Sequence, residues 1–225
     1  MSVNLVKGQK VDLTKSNTGL RKVIIGLGWD MAGENVYDET VKKSGGFFSG
    51  LFGKKERERA AQLPAIDCDA IAFLLNDQGI LESKKDVVFF NNLNHSSGCV
   101  IHKGDNLTGE GEGDDEQICV DLEHLPLHYD KIVILVSIYQ ATQRNQHFGM
   151  INNAFIRVVD ADTNKELCLY NLSDNYNGMC ALVFGELYRY KGEWNFNAVG
   201  QPLNEWRLAD LASHYGLSPD LWTRR

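Results

Sequence analysis

Apolar and polar positions alternate with a period of two along most of the chain, which predicts β-strands. Val23, Ile25, Leu27 and Trp29 alternate in this way with smaller residues. Further segments of strand type cover 66–75, 87–90, 118–122, 132–139, 154–159, 167–172, 181–190 and 194–199. The glycine-containing connection at 191–193 is typical of a hairpin. Because the run 131–136 is unbroken and β-branched, it predicts a central strand.

Helical spacing occurs only near the end of the chain. Apolar residues fall three and four apart at Leu208, Leu211, Ala212 and Tyr215. Asn204 is the predicted N-cap and Gly216 the predicted end of this helix. We therefore expect an all-β fold, a two-sheet antiparallel β-sandwich with a short C-terminal helix. The predicted division is a sandwich domain over 1–200 and a helical extension over 201–225.

Composition narrows the class of protein. The 225 residues are 43% hydrophobic and 24% charged, as in folded proteins, and no window approaches the 18 apolar residues of a membrane span. A net charge of −7 argues against a nucleic-acid partner. The first residues lack the apolar core of a secretory signal, and the five cysteines include no Cys-x-x-Cys pair. We expect free thiols and a cytoplasmic location.

Most of the negative charge comes from one loop. Residues 105–116 contain six acidic side chains and no basic one, so the rest of the chain carries only −1. Neighbouring carboxylates about 5 Å apart repel by about 0.8 kcal/mol per pair in water, which favours a bound cation. Glycines at 109, 111 and 113 allow main-chain carbonyls to turn inward as further ligands. Such oxygen ligands suit Ca²⁺ better than Mg²⁺ or Zn²⁺, although a solvated, disordered loop would have the same composition.

Polar residues at three strand ends could complete a calcium site. Asp67 and Asp69 are two apart, so their side chains leave the strand on the same face. Asp30 ends another strand, and Asn92 follows a third. If these ends converge, the sequence predicts a metal site there. Alternatively, Asp67 and Asp69 only cap their strand.

A basic and aromatic insertion interrupts the strand pattern over 33–64. Residues 42–59 carry a local charge of +4. The side chains that could contact an anionic membrane or a protein partner are those of Phe47, Phe48, Leu51, Phe52, Lys54 and Lys55. The alternative is an insertion whose phenylalanines fold back onto the sandwich.

Three motifs together resemble the TerD family of bacterial tellurite-resistance and general stress operons. They are VIIGLGWD at 23–30, DCDAIAFLL at 67–75 and GDNLTGEGEGDDE at 104–116. The resemblance continues through 148–149, 153–157, 184–189 and 194–196, and it covers nearly all of 1–200.

The resemblance implies a two-sheet β-sandwich that binds two adjacent Ca²⁺ ions. The ligands it implies are Asp30, Asp67, Asp69, Asp105, Asn106, Asp114, Asp115 and Glu116, with main-chain carbonyls such as those of Gly109 and Gly111. It also implies a scaffolding role in the stress response. The expected partners are other Ter-type proteins, including a membrane-integral one, at the inner face of the membrane.

No motif in the chain predicts an enzyme. Gly-x-Ser-x-Gly, the phosphate-binding Gly-x-x-x-x-Gly-Lys-[Ser/Thr] and His-Glu-x-x-His are all absent from the sequence. We therefore expect no catalytic residues. The alternative is a metal-dependent hydrolase in which two ions in the acidic cluster activate a water molecule.

Overall fold

The fold is given by a computed structural model that describes residues 2–31, 66–104, 113–172 and 174–223. Within these ranges, two six-stranded sheets pack face to face. Sheet A contains, in spatial order, β1 (Val3–Leu5), β10 (Lys165–Asn171), β9 (Ile151–Asp160), β3 (Lys22–Met31), β7 (Glu116–Asp121) and β6 (Val100–His102). Sheet B contains β2 (Lys10–Asp12), β12 (Glu193–Leu203), β11 (Ala181–Tyr190), β8 (Lys131–Ile138), β4 (Cys68–Leu75) and β5 (Val87–Val88).

Helical structure is short and lies mostly at the end of the chain. The α-helices are α1 (Ala141–Arg144), α2 (Leu208–Ser213) and α3 (Asp220–Thr223), and 3-10 turns cover Lys84–Asp86 and Phe148–Met150. No helix in the described ranges is long and apolar enough to cross a membrane. All five cysteines are free.

The predicted two-sheet sandwich with a short C-terminal helix is confirmed. Its strand pairs are antiparallel except β1 and β10, which run parallel. The predicted central strand is also confirmed, because β8 lies between β11 and β4. Lys191 and Gly192 close the β11–β12 hairpin with positive φ angles of 54° and 84°, as a tight hairpin turn requires.

The start of helix α2 differs from the prediction. Arg207, not Asn204, occupies the N-cap position. Asn204 directly follows β12, which stays paired with β11 up to Leu203, so the chain is still leaving the sheet at Asn204. Residue 200, the predicted end of the sandwich domain, lies within β12. Gly216, with φ of 88°, lies in the turn that follows the helix.

Sheet B is buried on both faces. Its inner face packs against sheet A, while Ile71 and Phe73 on its outer face join a second apolar cluster with Leu211 and Ala212 of helix α2. Burial on both faces explains why residues 70–75 of β4 and 132–136 of β8 are continuously apolar instead of alternating. The C-terminal segment is therefore part of the packed structure.

This packing predicts a large effect of a single truncation in α2. Leu211 is fully buried, so Leu211→Ala is expected to lower the free energy of unfolding by about 2–5 kcal/mol, measured by urea denaturation. Leu221→Ala is the matched control, because Leu221 is 42% exposed and its truncation should cost less than about 0.5 kcal/mol. Equal effects of the two variants would contradict the packing described.

Candidate metal-binding site

Strands of both sheets bring acidic residues to one end of the sandwich. Antiparallel pairing places the end of β3 beside the start of β7, with Leu27 opposite Glu116. The start of β4 in sheet B reaches the same place, where Ala70 N donates to Glu116 Oε2 at 2.5 Å. We call this the acidic end. Its described carboxylates belong to Asp30, Asp67, Asp69, Asp114, Asp115 and Glu116.

Cys68 lies between Asp67 and Asp69 in the chain and close enough to Glu116 and Asp115 to be affected by their charges. Its thiol is fully buried, and burial raises its pKa well above the usual value. The negative charges that raise this pKa further belong to Glu116, Asp69, Asp67 and Asp115. Carboxylates from β4 and from the start of β7 therefore act on one buried thiol.

Asp115 and Asp30 form one part of the acidic end. Asp115 Oδ2 accepts a hydrogen bond from Trp29 N at 2.8 Å, and Asp115 N donates to Leu27 O at 2.7 Å. The pKa of Asp115 is raised, first by burial and then by the charges of Asp30 and Asp114, against the opposing effect of the Trp29 N–H. The fold thus holds like charges side by side at fixed positions.

Asn153 positions Asp30, and sequence reasoning did not assign it this role. Its Nδ2 donates to Asp30 Oδ2 at 2.7 Å. Asn153 adopts φ of 51° within β9, next to the point where the register of β3 shifts between Gly28 and Asp30. Asn adopts this left-handed conformation more readily than other residues apart from glycine, so it suits the register shift at this position.

A polar cleft of about 450 Å³ opens beside these residues. Its lining includes Trp29, Asp30, Asp115, Asn153 and Asn171. Trp29 Nε1 is buried and has no hydrogen-bond partner in the part of the chain that the structure describes. The cleft is therefore lined by two carboxylates and two amides next to a largely buried indole.

Asp114 has a different environment from Asp115. Its buried carboxylate forms two hydrogen bonds with Arg157, Nε to Oδ1 at 2.7 Å and Nη2 to Oδ2 at 3.1 Å. Gln117 Nε2 donates to Asp114 Oδ2 at 2.9 Å. The carboxylate lies over Gly26, where a Cβ atom would overlap it. Asp114 thus anchors the start of β7 to the middle of sheet A.

Glu116 is buried between the sheets beside His102. Gly104 N donates to His102 Nδ1 at 3.2 Å, which places the proton of a neutral imidazole on Nε2. Nε2 lies 3.5 Å from Glu116 Oε2 and has no hydrogen-bond partner among the described residues. The histidine therefore directs an N–H toward this carboxylate.

Asp67 and Asp69 lie at the start of β4. Asp67 Oδ2 is 3.7 Å from Arg144 Nη1, and Asp67 O accepts from Tyr139 N at 2.8 Å. Asp69 pairs with Ser137 of β8 and is 6% exposed. The backbone of both residues is thus fixed by β8 and the residue after it, and Asp69 shares the outer face of β4 with Ile71.

The remaining predicted site residues are not part of the arrangement described so far. Asn92 Nδ2 donates to Val87 O at 2.6 Å, so this amide closes its own turn. The predicted ligands outside the described residues are Asp105, Asn106, Gly109 and Gly111. The predicted contact residues Phe47, Phe48, Leu51, Phe52, Lys54 and Lys55 also lie outside them.

The chemistry of the donor set fits a hard divalent cation. The described acids at the end of β3 and at the starts of β4 and β7 lie at one end of the sandwich, and the ion pairs in the described ranges bring only Arg144 and Arg157 to it. Within those ranges, no three His, Cys, Asp or Glu side chains are grouped closely enough to hold one ion. An ion bound here would thus need oxygen ligands besides the described side chains.

Comparisons with known proteins agree on one family. A family model of the TerD domain matches residues 1–215. The chain is 47% identical over 215 residues to stress response protein SCP2 of Bacillus subtilis, covering 96% of this chain and 100% of that protein. It is 38% identical over 218 residues to tellurium resistance protein TerD of Serratia marcescens, covering 97% and 99%. A solved structure of a TerD homologue from Streptomyces coelicolor shares the fold, with a TM-score of 0.56, 21% identity and coverage of 84% and 94%.

Replacing Asp114 and replacing Asp115, which are neighbours before β7, are expected to have opposite effects on the free energy of unfolding. In chelator, Asp114→Asn should lower the free energy of unfolding by about 1–3 kcal/mol, because it removes the buried carboxylate that is hydrogen-bonded to Arg157 and leaves that guanidinium only the longer ion pair with Glu166, at 3.6 Å. Asp115→Asn should raise stability, because the folded state disfavours the ionised form of this group. That gain should be present above the ordinary carboxyl pKa of about 3.9 and vanish in acid below it.

Urea denaturation of both variants at neutral and acid pH checks this contrast. A destabilising Asp115→Asn or a neutral Asp114→Asn would contradict the assignment of the two environments.

Proposed function

The chain belongs to the TerD family, and we propose that it is a calcium-binding, non-enzymatic protein of the stress response. The observation that carries the calcium proposal is the convergence of carboxylates from β3, β4 and β7 at one end of the sandwich. Relatives that match nearly the whole chain bear the names of stress response and tellurium resistance proteins, which supports the physiological part.

About two Ca²⁺ ions would bind at the acidic end. The described residues proposed as ligands are Asp30, Asp67, Asp69, Asp115 and Glu116, joined by Asp105, Asn106, Gly109 and Gly111 of the connection 105–112. Bound calcium supplies positive charge that offsets the repulsion between these groups. Asp114 is proposed to have a structural role and not to bind the ion, because Arg157 and Gln117 hold its carboxylate over sheet A.

The separation of the acids into two groups supports the proposed number of ions. Asp30 and Asp115 lie together at the β3–β7 junction, where the charge of Asp30 raises the pKa of Asp115. Asp67 directly precedes β4 of the other sheet and Asp69 lies within it, and Glu116 accepts a hydrogen bond from Ala70 N of the same strand. Each group contributes fewer than the six to eight oxygen ligands that calcium takes, so the connection 105–112 would serve both.

The proposed role is that of a scaffold for other Ter-type stress proteins, one of them membrane-integral, inside the cell at the inner face of the membrane. The insertion 33–64 supplies apolar and basic side chains suited to an anionic surface. In a chain without a recognisable catalytic motif, binding is the role that the acidic end supports. The relatives' names also describe resistance and stress response, not an enzymatic reaction.

Calcium is expected to raise the melting temperature of the chelator-treated protein. Binding at about 100-fold over the dissociation constant would stabilise by about 2.7 kcal/mol per site. Asp115→Asn should reduce the calcium-dependent shift and the heat measured by isothermal titration. Asp162→Asn is the matched control, because Asp162 pairs with Arg21 in the turn after β9, away from the acidic end.

The outcomes of the calcium titration separate the alternatives. Absence of heat and of a thermal shift in the wild-type protein would overturn calcium binding. An equal loss in Asp162→Asn would show that the shift reflects general surface charge. Hydrolysis of a phosphoester that requires calcium and disappears in Asp69→Asn would establish the metal-dependent hydrolase instead.

A further inference from the structure

A cavity of about 340 Å³ lies on the outer face of sheet A, over β3, β7 and β6. Val23, Val100 and Val120 belong to the core between the sheets, so the residues that alternate with them face the other way. The residues of the lining that carry its chemistry are Ile24, Cys99, Ile101, Lys103, Cys119 and Asp121. Two free thiols therefore share one largely apolar cavity.

The strand register relates the positions of the two cysteines. Cys119 of β7 pairs with Ile101 of β6. Cys99 lies directly before β6, and its main-chain O accepts a hydrogen bond from Asp121 N at 2.7 Å, which continues the same pairing. Cys99 and Cys119 are therefore diagonal neighbours at this edge of the sheet, and the Cβ atoms of such neighbours are about 7 Å apart.

This separation suits one bridging atom better than a disulfide. A disulfide needs Cβ atoms about 3.5–4.5 Å apart, so it would require β6 to move toward β7. A soft metal ion between two sulfur atoms adds two bonds of about 2.3 Å each, which covers the longer distance. Within the described ranges, no three His, Cys, Asp or Glu side chains are grouped around one point. The two thiols thus suit an ion that needs only two ligands.

The charges around the cavity favour a complex with net negative charge. Lys22 and Asp121 neutralise each other in an ion pair, with Nζ 3.1 Å from Oδ2. Burial raises the pKa of the Cys119 thiol, and the charge of Lys103 opposes this rise. The ammonium group of Lys103 therefore acts on the sulfur atom of Cys119 and would stabilise a negative charge there.

We propose that Cys99 and Cys119 bind one soft monovalent cation of the Cu(I) type between their two sulfur atoms. Thiolates select such ions over the hard cations that oxygen ligands bind. The ion and two thiols give a dithiolate complex of charge −1 and two released protons, with no change of oxidation state. Cys99 gives up only the weak contact of its Sγ with Ser97 O, at 3.6 Å.

Anaerobic competition with bicinchoninate, a Cu(I) chelator, tests the proposal on the full chain. The protein is expected to withdraw one Cu(I) from the chelator and to release two protons, measured by titration in buffers of different ionisation enthalpy. Zn²⁺ should not compete, because it takes four ligands. Failure to withdraw Cu(I), or equal binding of Zn²⁺, would overturn the proposal.

Cysteine variants show which thiols hold the ion. Cys119→Ser is the decisive variant, because this side chain is partly exposed and the substitution leaves the core unchanged. It should lower Cu(I) affinity by more than about 100-fold, the upper range for loss of a group that only supports a ligand. Cys99→Ser should have the same effect. Cys180→Ser is the matched control, because Cys180 is a partly exposed cysteine beside β11 of sheet B. Full affinity in Cys119→Ser, or an equal loss in Cys180→Ser, would contradict the assignment.

Lys103→Gln tests the charge of the complex. This variant should bind Cu(I) more weakly than the wild-type protein at low salt, and the difference should shrink at high salt because an exposed charge is screened. Lys15→Gln, at an exposed lysine after β2, should bind as the wild type does. Equal affinity of Lys103→Gln and the wild type at low salt would contradict the role of Lys103. The cavity shares no residue with the acidic end, so either proposal can fail while the other stands.

Discussion

Electrostatic repulsion at the acidic end is the constraint on which the rest of the structure depends. Two unit charges about 5 Å apart near a protein surface repel by about 3 kcal/mol. The carboxylates of Asp115 and Glu116 cannot simply turn away, because Trp29 N and Ala70 N bind them. This repulsion lowers the stability of the folded state. The apolar core between sheets A and B offsets it. A divalent cation is the group that would reverse the sign of this interaction.

Strands and turns could be predicted where the local sequence itself shows which residues are buried or where the chain turns. β8 reads as a central strand because both of its faces are covered, and the β11–β12 hairpin is marked by Gly192 at its turn. β1, β2 and β6 have only three residues each, which is too few to show a period of two. They are strands because they pair with β10, β12 and β7, respectively. The N-cap of α2 is Arg207 and not the predicted Asn204, again because of pairing with another strand. Pairing with β11 holds the chain in the sheet up to Leu203, and a local capping preference cannot reveal that.

The sequence predicts the carboxylates of the acidic end but not the side chains that position them. Asp30, Asp67 and Asp69 stand at strand ends, and topology brings those ends together. Asn153 reaches Asp30 across 123 positions, and Arg157 reaches Asp114 across 43. Neither belongs to an acidic or glycine-rich motif. Gly26 gives a signal in retrospect, because a glycine within an apolar strand indicates close approach by another group, here the Asp114 carboxylate.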